Sequence, residues 1–290
     1  MRRLARLLAS VASLASVTLL AAGCTGVEPD AAPATGAPTA PSPSAAPATG
    51  DSARADLVGF WRVDGGADDG AWLRLDAGGL DLLRECGVVT GAWNATDELL
   101  VADPWGWSGE GCTTDSVPWL DEVTAYRLTD GRVELLDDDG AVVVALRADG
   151  APTAAPADTN FTSPPGGDGN LAAWAARPAA LPGTVSPATE ADLTRHPWLA
   201  AGAFETKPGV AFDEAGRYTS TDGCNGVDGR WAVGPDGWFV ATSGPQTMIG
   251  CDGAPVPSWI ASAARAGMDG DSLVLFGADG QPLGTLVAGS

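Results

Sequence analysis

The chain has one histidine and one lysine in 290 residues, and each scarcity removes a class of chemistry. With His196 alone, no histidine cluster is available to ligate a metal. A Ser-His-Asp set would have to use a histidine with no Gly-x-Ser-x-Gly or similar nucleophile element beside it. His196 precedes Pro197-Trp198 and reads as a surface or packing residue. Lys207 is the only lysine, and the net charge is −21. Nucleic acid and anionic headgroups are therefore excluded as expected partners. The five cysteines include no Cys-x-x-Cys, which argues against a redox or metal centre. Asp137-Asp138-Asp139-Gly140 lacks the spacing of a calcium loop and reads as a solvated hairpin turn. No cofactor and no metal are expected. Beyond the first two dozen residues, no apolar run is long enough to span a bilayer.

What is there begins at the N-terminus. Arg2, Arg3 and Arg6 precede an Ala/Leu/Val-rich run from Leu7 to Ala22, which leads through Gly23 to Cys24. As a helix that run would measure about 24 Å, short for a membrane span, so it reads as a cleaved signal peptide. Small residues directly before a cysteine resemble the lipobox of bacterial lipoproteins, although Ala21 stands where leucine is commoner. The resemblance implies lipidation of Cys24 and residence at the extracytoplasmic face of the cell membrane. Acyl chains contribute about 0.8 kcal/mol per buried CH₂, so two or three of them anchor a protein stably. Loss of the three arginines with the signal takes the charge to −24.

Residues 24–50 are, from Glu28 on, almost entirely Ala, Pro, Thr, Ser and Gly with almost no large apolar side chain, too little to offset ordering entropy. They read as a tether. Residues 51–150 and 191–290 are each long enough for a small core, and 151–190, with Ser163-Pro164-Pro165-Gly166-Gly167, reads as a linker between two domains. Few contacts are expected across that boundary. Leu171 to Leu181 is a candidate helix that Pro178 would end.

The two regions repeat one another. Gly78 and Gly216 lie eight residues before Cys86 and Cys224; Gly91 and Gly229 lie five after them, and Trp93 and Trp231 seven after. Second cysteines follow at Cys112 and Cys251, separated from the first by 26 and 27 residues, and Trp61 and Trp198 stand 25 and 26 before the first cysteines. Ala125 to Leu128, Val133 to Leu136 and Ala141 to Leu146 read as three strands joined by Asp-Gly turns, matched in the second copy by Ser272 to Phe276 and Pro282 to Val287. Pro257 to Arg265 reads as a helix, with Ile260, Ala263 and Ala264 on one side; Pro118 to Glu122 is its shorter counterpart. The fold expected is mainly β (α+β): two tandem small antiparallel β domains, each with about one short helix.

With Cys24 acylated, four cysteines allow three pairings. A bridge common to both copies must lie within each, which selects Cys86–Cys112 and Cys224–Cys251. Closing about 27 residues contributes about 3–4 kcal/mol on the chain-entropy account.

Gly223-Cys224-Asn225-Gly226, Gly229-Arg230-Trp231, Thr247-Met248-Ile249-Gly250-Cys251, the helix and the hairpin from Gly270 to Leu275 resemble the META/HslJ domain of bacterial envelope proteins. The first copy resembles it more distantly: Glu85-Cys86-Gly87-Val88 lacks the Gly-Cys-Asn signature and Gly109-Glu110-Gly111-Cys112 lacks the Thr-x-Met. The resemblance implies a compact antiparallel β domain with one helix, and links to heat-shock or antibiotic tolerance in some members, without implying a known reaction.

Trp105 and Trp107 fall in Asp103-Pro104-Trp105-Gly106-Trp107-Ser108-Gly109, which reads as a loop. They either pack over the nearby disulfide or form a contact for a sugar or a protein. The functional expectation is a non-catalytic, lipid-anchored envelope module, binding or structural, with an envelope protein or glycan as partner. An inhibitor or accessory factor of an envelope hydrolase is the alternative, and an uncharacterised hydrolase the third class, for which two carboxylates about 5–10 Å apart in a cleft would argue. Anchoring has a direct test. Cys24→Ser should abolish acyl-label incorporation and release the protein from the membrane fraction; retention through a carbonate wash would contradict the lipoprotein reading.

Overall fold

The structure is a computed structural model describing residues 53–114, 117–153, 161, 165–166, 171–250 and 252–289. The signal segment, Cys24, the tether, Cys251 and part of the linker lie outside the described residues.

Tight turns order the first half. Its strands are β1 (Gly59–Asp64), β2 (Trp72–Asp76), β3 (Gly79–Arg84), β4 (Gly87–Ala95), β5 (Leu100–Ser108), β6 (Ala125–Thr129), β7 (Arg132–Leu136) and β8 (Val142–Arg147). Their order in the sheet is β5-β4-β3-β2-β1-β8-β7-β6, antiparallel throughout. The two ends meet: Leu99 bridges Ala125, Leu100 N–H donates to the Thr124 carbonyl at 3.1 Å, and Tyr126 N–H donates to that of Glu98 at 3.0 Å. Each strand thus neighbours its predecessor around a closed up-and-down barrel, whose eight strands leave an interior that side chains can fill.

The second half repeats this path. A short strand β9 (Ser186–Pro187) is followed by β10 (Trp198–Ala200), β11 (Gly209–Phe212), β12 (Arg217–Thr221), β13 (Gly226–Val233), β14 (Phe239–Ala241), β15 (Arg265–Asp269), β16 (Ser272–Phe276) and β17 (Pro282–Ala288). Their order is β14-β13-β12-β11-β10-β17-β16-β15-β9. The seam closes as before, through the Trp238–Arg265 bridge and Phe239 N–H to the Ala264 carbonyl at 3.2 Å. Even a ladder irregularity recurs, between Leu135 and Leu136 in one copy and Leu275 and Phe276 in the other.

Among the described residues, four short α-helices accompany the strands: α1 (Pro118–Glu122), α2 (Leu171–Ala175), α3 (Glu190–Thr194) and α4 (Val256–Ser262). α1 and α4 occupy the same connection across the seam, with Trp119, Leu120 and Ile260 buried. The helix expected from Pro257 to Arg265 stops three residues early. Ala263 turns to extended backbone (φ −68°, ψ 135°), and Arg265 opens β15 with its guanidinium 4.0 Å over the Trp238 ring. α2 ends at Ala175, short of Pro178.

Each barrel has its own core. The repeated tryptophans fill equivalent places: Trp61 and Trp198 donate from Nε1 to the carbonyls of Leu57 and Leu193, at 2.7 and 2.9 Å. Trp93 and Trp231 donate to those of Asp76 and Arg217, at 2.6 and 2.9 Å. Gly91 and Gly229 are required by close approach, since a Cβ would lie 2.5 Å from the Asp103 carbonyl oxygen and 2.7 Å from that of Thr242. The Cys86–Cys112 disulfide forms, with Cα atoms 5.4 Å apart.

The expectation of few contacts across the boundary is not met. The described residues belong to one compact unit. Arg217 and Arg230, paired across β12 and β13, reach Asp103 and Asp121 of the first half. The separations are 3.5 Å from Arg217 to Asp103, 3.0 Å from Arg217 to Asp121, and 3.5 Å from Arg230 to Asp121. Asn94 Nδ2 donates to the Ala241 carbonyl at 3.1 Å. Burial raises the Asp103 carboxyl above the ordinary range despite Arg217, and burial lowers the Arg230 guanidinium. Removing Asp121 leaves two arginines short of a countercharge, one of them buried. Asp121→Ala should therefore cost about 1–2 kcal/mol, the pair being only partly buried. Denaturant unfolding of the native chain should be one transition for both halves; two separated transitions would contradict this coupling.

Candidate functional site

The Gly-Cys-Asn signature forms the turn between β12 and β13. Asp222 opens it as an Asx turn: Oδ1 accepts the N–H groups of Cys224 and Asn225 at 2.8 and 2.7 Å. Gly223 has φ +103°, and a Cβ there would lie 2.1 Å from Thr206 Oγ1, so the position needs glycine. The turn aims the Asn225 carboxamide inward, 3% exposed.

That carboxamide grips a segment more than twenty residues away. Oδ1 accepts from Thr247 Oγ1 at 2.8 Å and from Ile249 N–H at 2.7 Å. Nδ2 donates to the Ile249 carbonyl at 2.7 Å and to Asp222 Oδ2 at 2.8 Å. Four bonds use its whole capacity, two accepted and two donated. Between the held residues stands Met248, 96% exposed, followed by Ile249 at 61%. The chain from Thr242 to Gly250 runs without helix, strand, turn or bend, and Pro245 to Gly250 are all exposed. The structure thus brings Asn225 and Thr247 together, puts Gly229 and Trp231 in the barrel wall and core, and leaves Met248 in solvent. Cys224 is disulfide-bonded; Cys251, its expected partner, lies outside the described residues.

The first barrel carries a different feature. Trp105 and Trp107 lie on β5, not on a loop, at 48% and 55% exposure. Gly91 pairs with Pro104 and Thr90 with Gly106, so Trp105 is the extra residue of a bulge, a device that re-aims a side chain. Trp105 edges a hollow of about 510 Å³ lined also by Arg74, Asp76, Asp81, Thr90 and Leu171. Arg74 spans both carboxylates, 2.6 Å from Asp76 and 3.5 Å from Asp81. Burial disfavours charge on Asp76, but the N–H groups of Gly166 and Ala77 together with Arg74 outweigh it, so that carboxyl sits below the ordinary range. Burial holds Asp81 above it, against the pull of Arg74.

His196 packs 4.3 Å from the Trp198 ring, with Nδ1 2.9 Å from the Pro197 carbonyl. Asp137 caps its own turn by accepting Ala141 N–H at 2.8 Å. Among the described residues, no group of three or more His, Cys, Asp or Glu is placed to hold a metal. No family model, no curated protein and no solved structure matches this chain.

Asp222 is the member of the site that sequence reading passed over; an Asp-Gly before the cysteine was the available signal for it. Ile249 stood within the quoted motif without a role. The hydrogen bonds from Asn225 and the N–H groups of Asn225 and Cys224 lower the Asp222 carboxyl below its ordinary value of 3.8. A depressed carboxyl stabilises the turn above the unfolded-state pKa and loses that contribution as pH falls through the folded one. The amide signals of Cys224 and Asn225, followed by NMR in acid, should titrate with a midpoint below 3.8. A midpoint at or above that value would contradict the turn geometry.

Proposed function

We propose that the protein is a non-catalytic module, held at the outer face of the cell membrane by lipidation at Cys24, that binds an envelope protein through the Thr247–Ile249 loop. One observation carries this reading: Met248 is almost wholly exposed while the residues on either side are held by a buried carboxamide. An apolar side chain ordinarily gains by leaving water, by about 1.5–3 kcal/mol on full burial. A fold that spends a fully satisfied asparagine on keeping it out has placed it for a partner. The residues resembling the META/HslJ signature, Gly223, Asn225 and Thr247, are the ones that build this support. That gives the resemblance a physical content: the signature makes a platform for a loop. The first barrel, lacking both the Asn and the Thr, has no such platform.

A glycan is favoured as a second ligand by the Trp105 hollow, where an exposed indole face stands beside Asp76, Asp81, Arg74 and Thr90. Its two carboxylates answer the expectation for a hydrolase in kind, yet both are counter-ions of one arginine, which suits hydroxyl binding better than proton transfer.

A photo-crosslinking residue at position 248 tests the loop in intact cells. It should give one dominant protein adduct, reduced at least about tenfold by Asn225→Ala in chains that remain folded. Equal adducts from positions 248 and 107, insensitive to Asn225→Ala, would contradict it.

A further inference from the structure

The geometry points to a substrate-like inhibitory loop: we propose that Met248 enters the apolar S1 pocket of a serine endopeptidase, with the Met248–Ile249 peptide bond at its catalytic serine. This rests on the reading of the loop as the binding element and adds the class of partner.

Three features of the segment carry it. First, proteases take their substrates extended, and the chain from Thr242 to Gly250 is unbent, with no positive φ at any non-glycine residue. Second, Met248 is unbranched, apolar and 96% exposed, the shape that a deep hydrophobic slot accepts. Pro245 to Gly250 carry no charge of their own in a chain of net charge −21. Third, the support stands on both sides of one peptide bond. Thr247, on the acyl side, and Ile249, on the amine side, are held by the same Asn225 carboxamide at 2.7–2.8 Å.

That last feature separates an inhibitor from a substrate. Attack by the serine Oγ on the Met248 carbonyl carbon forms an ester and breaks the bond to the Ile249 nitrogen, while the serine proton passes through the enzyme's histidine to that nitrogen. In a free peptide the new amine diffuses away and water completes hydrolysis. Here Asn225 keeps Ile249 beside the ester, so the amine returns its proton to the histidine, re-forms the peptide bond and releases the serine. Nothing is consumed. The same rigidity lowers the ordering cost of binding, which is what makes a pre-set loop bind more tightly than a flexible one. A lipid surface is the other apolar destination for Met248 and Ile249; the net charge disfavours it on an anionic membrane.

The test uses the full-length protein in detergent against two serine endopeptidases, one with an apolar S1 pocket and one with an acidic S1 pocket that selects lysine. The apolar-pocket enzyme should be inhibited, with at most slow cleavage, confined to Met248–Ile249. Met248→Asp should weaken inhibition at least about 100-fold, near the upper end of what the loss of one buried apolar side chain gives. Met248→Lys should transfer inhibition to the other enzyme. Position 248 is in solvent, so neither change perturbs folding. Asn225→Ala, checked for folding by circular dichroism, should turn the protein into a substrate cut rapidly after Met248. Rapid cleavage of the native chain there, or no inhibition of either enzyme, would overturn the proposal. Vesicles of neutral lipid binding the native chain but not Met248→Asp, without inhibition, would overturn it in favour of a membrane contact. Adducts at position 248 in cells together with a failure here would leave the docking function standing and remove only the protease.

Discussion

Closure of eight antiparallel strands is the constraint from which the rest of this molecule follows. A closed sheet has few free edges on which a partner could add a strand, and an eight-stranded barrel is filled by its own side chains. Trp93, Leu82 and Val133 fill one, and Trp231, Phe212 and Leu273 the other. With edges and interior taken, connections and the outer wall are what each barrel presents. The second exposes Met248 and Ile249 on the connection from β14 to α4, and the first exposes Trp105 and Trp107 at the outer end of β5. The duplicated fold therefore carries two different surfaces, and the ion cluster of Asp103, Asp121, Arg217 and Arg230 fastens them into one body.

Much of the fold was legible because its signals are local. Alternating apolar residues and Asp-Gly turns marked β6 to β8 and β16 to β17 within a residue or two, and equal spacing around the cysteines marked the repeat. The misses have physical causes. Pro104 and two glycines spoke against a strand at Trp105, but among the described residues β5 meets β6 only at its start and from Pro104 onward pairs on its β4 side alone, where the missing N–H of proline is tolerated. Alanine periodicity extended α4 past Ser262 because Ala263 and Ala264 are buried as strongly in the turn as they would be on a helix. The salt bridges between halves join residues more than ninety positions apart and leave no local trace.

For the site, the residues were legible and their roles were not. Asn225 and Thr247 stood out as a pattern, but whether a signature residue touches a partner or supports one that does depends on its burial. Here Asn225 is inside and Met248 outside, so the residues of the pattern support the loop and the exposed side chain is what they hold up. Asn225 and Ile249 meet across 24 positions of sequence, a contact that no local pattern marks.

The loop is held in one shape by the Asn225 carboxamide. The Ile249 amide tests it most directly, because that residue is exposed and outside every strand, yet its N–H is donated to a buried oxygen at 2.7 Å. Native-state hydrogen exchange should find this amide protected to the level of the β13 amides, with that protection lost in Asn225→Ala. Exchange of Ile249 at the rate of an unstructured peptide in the native protein would contradict the account.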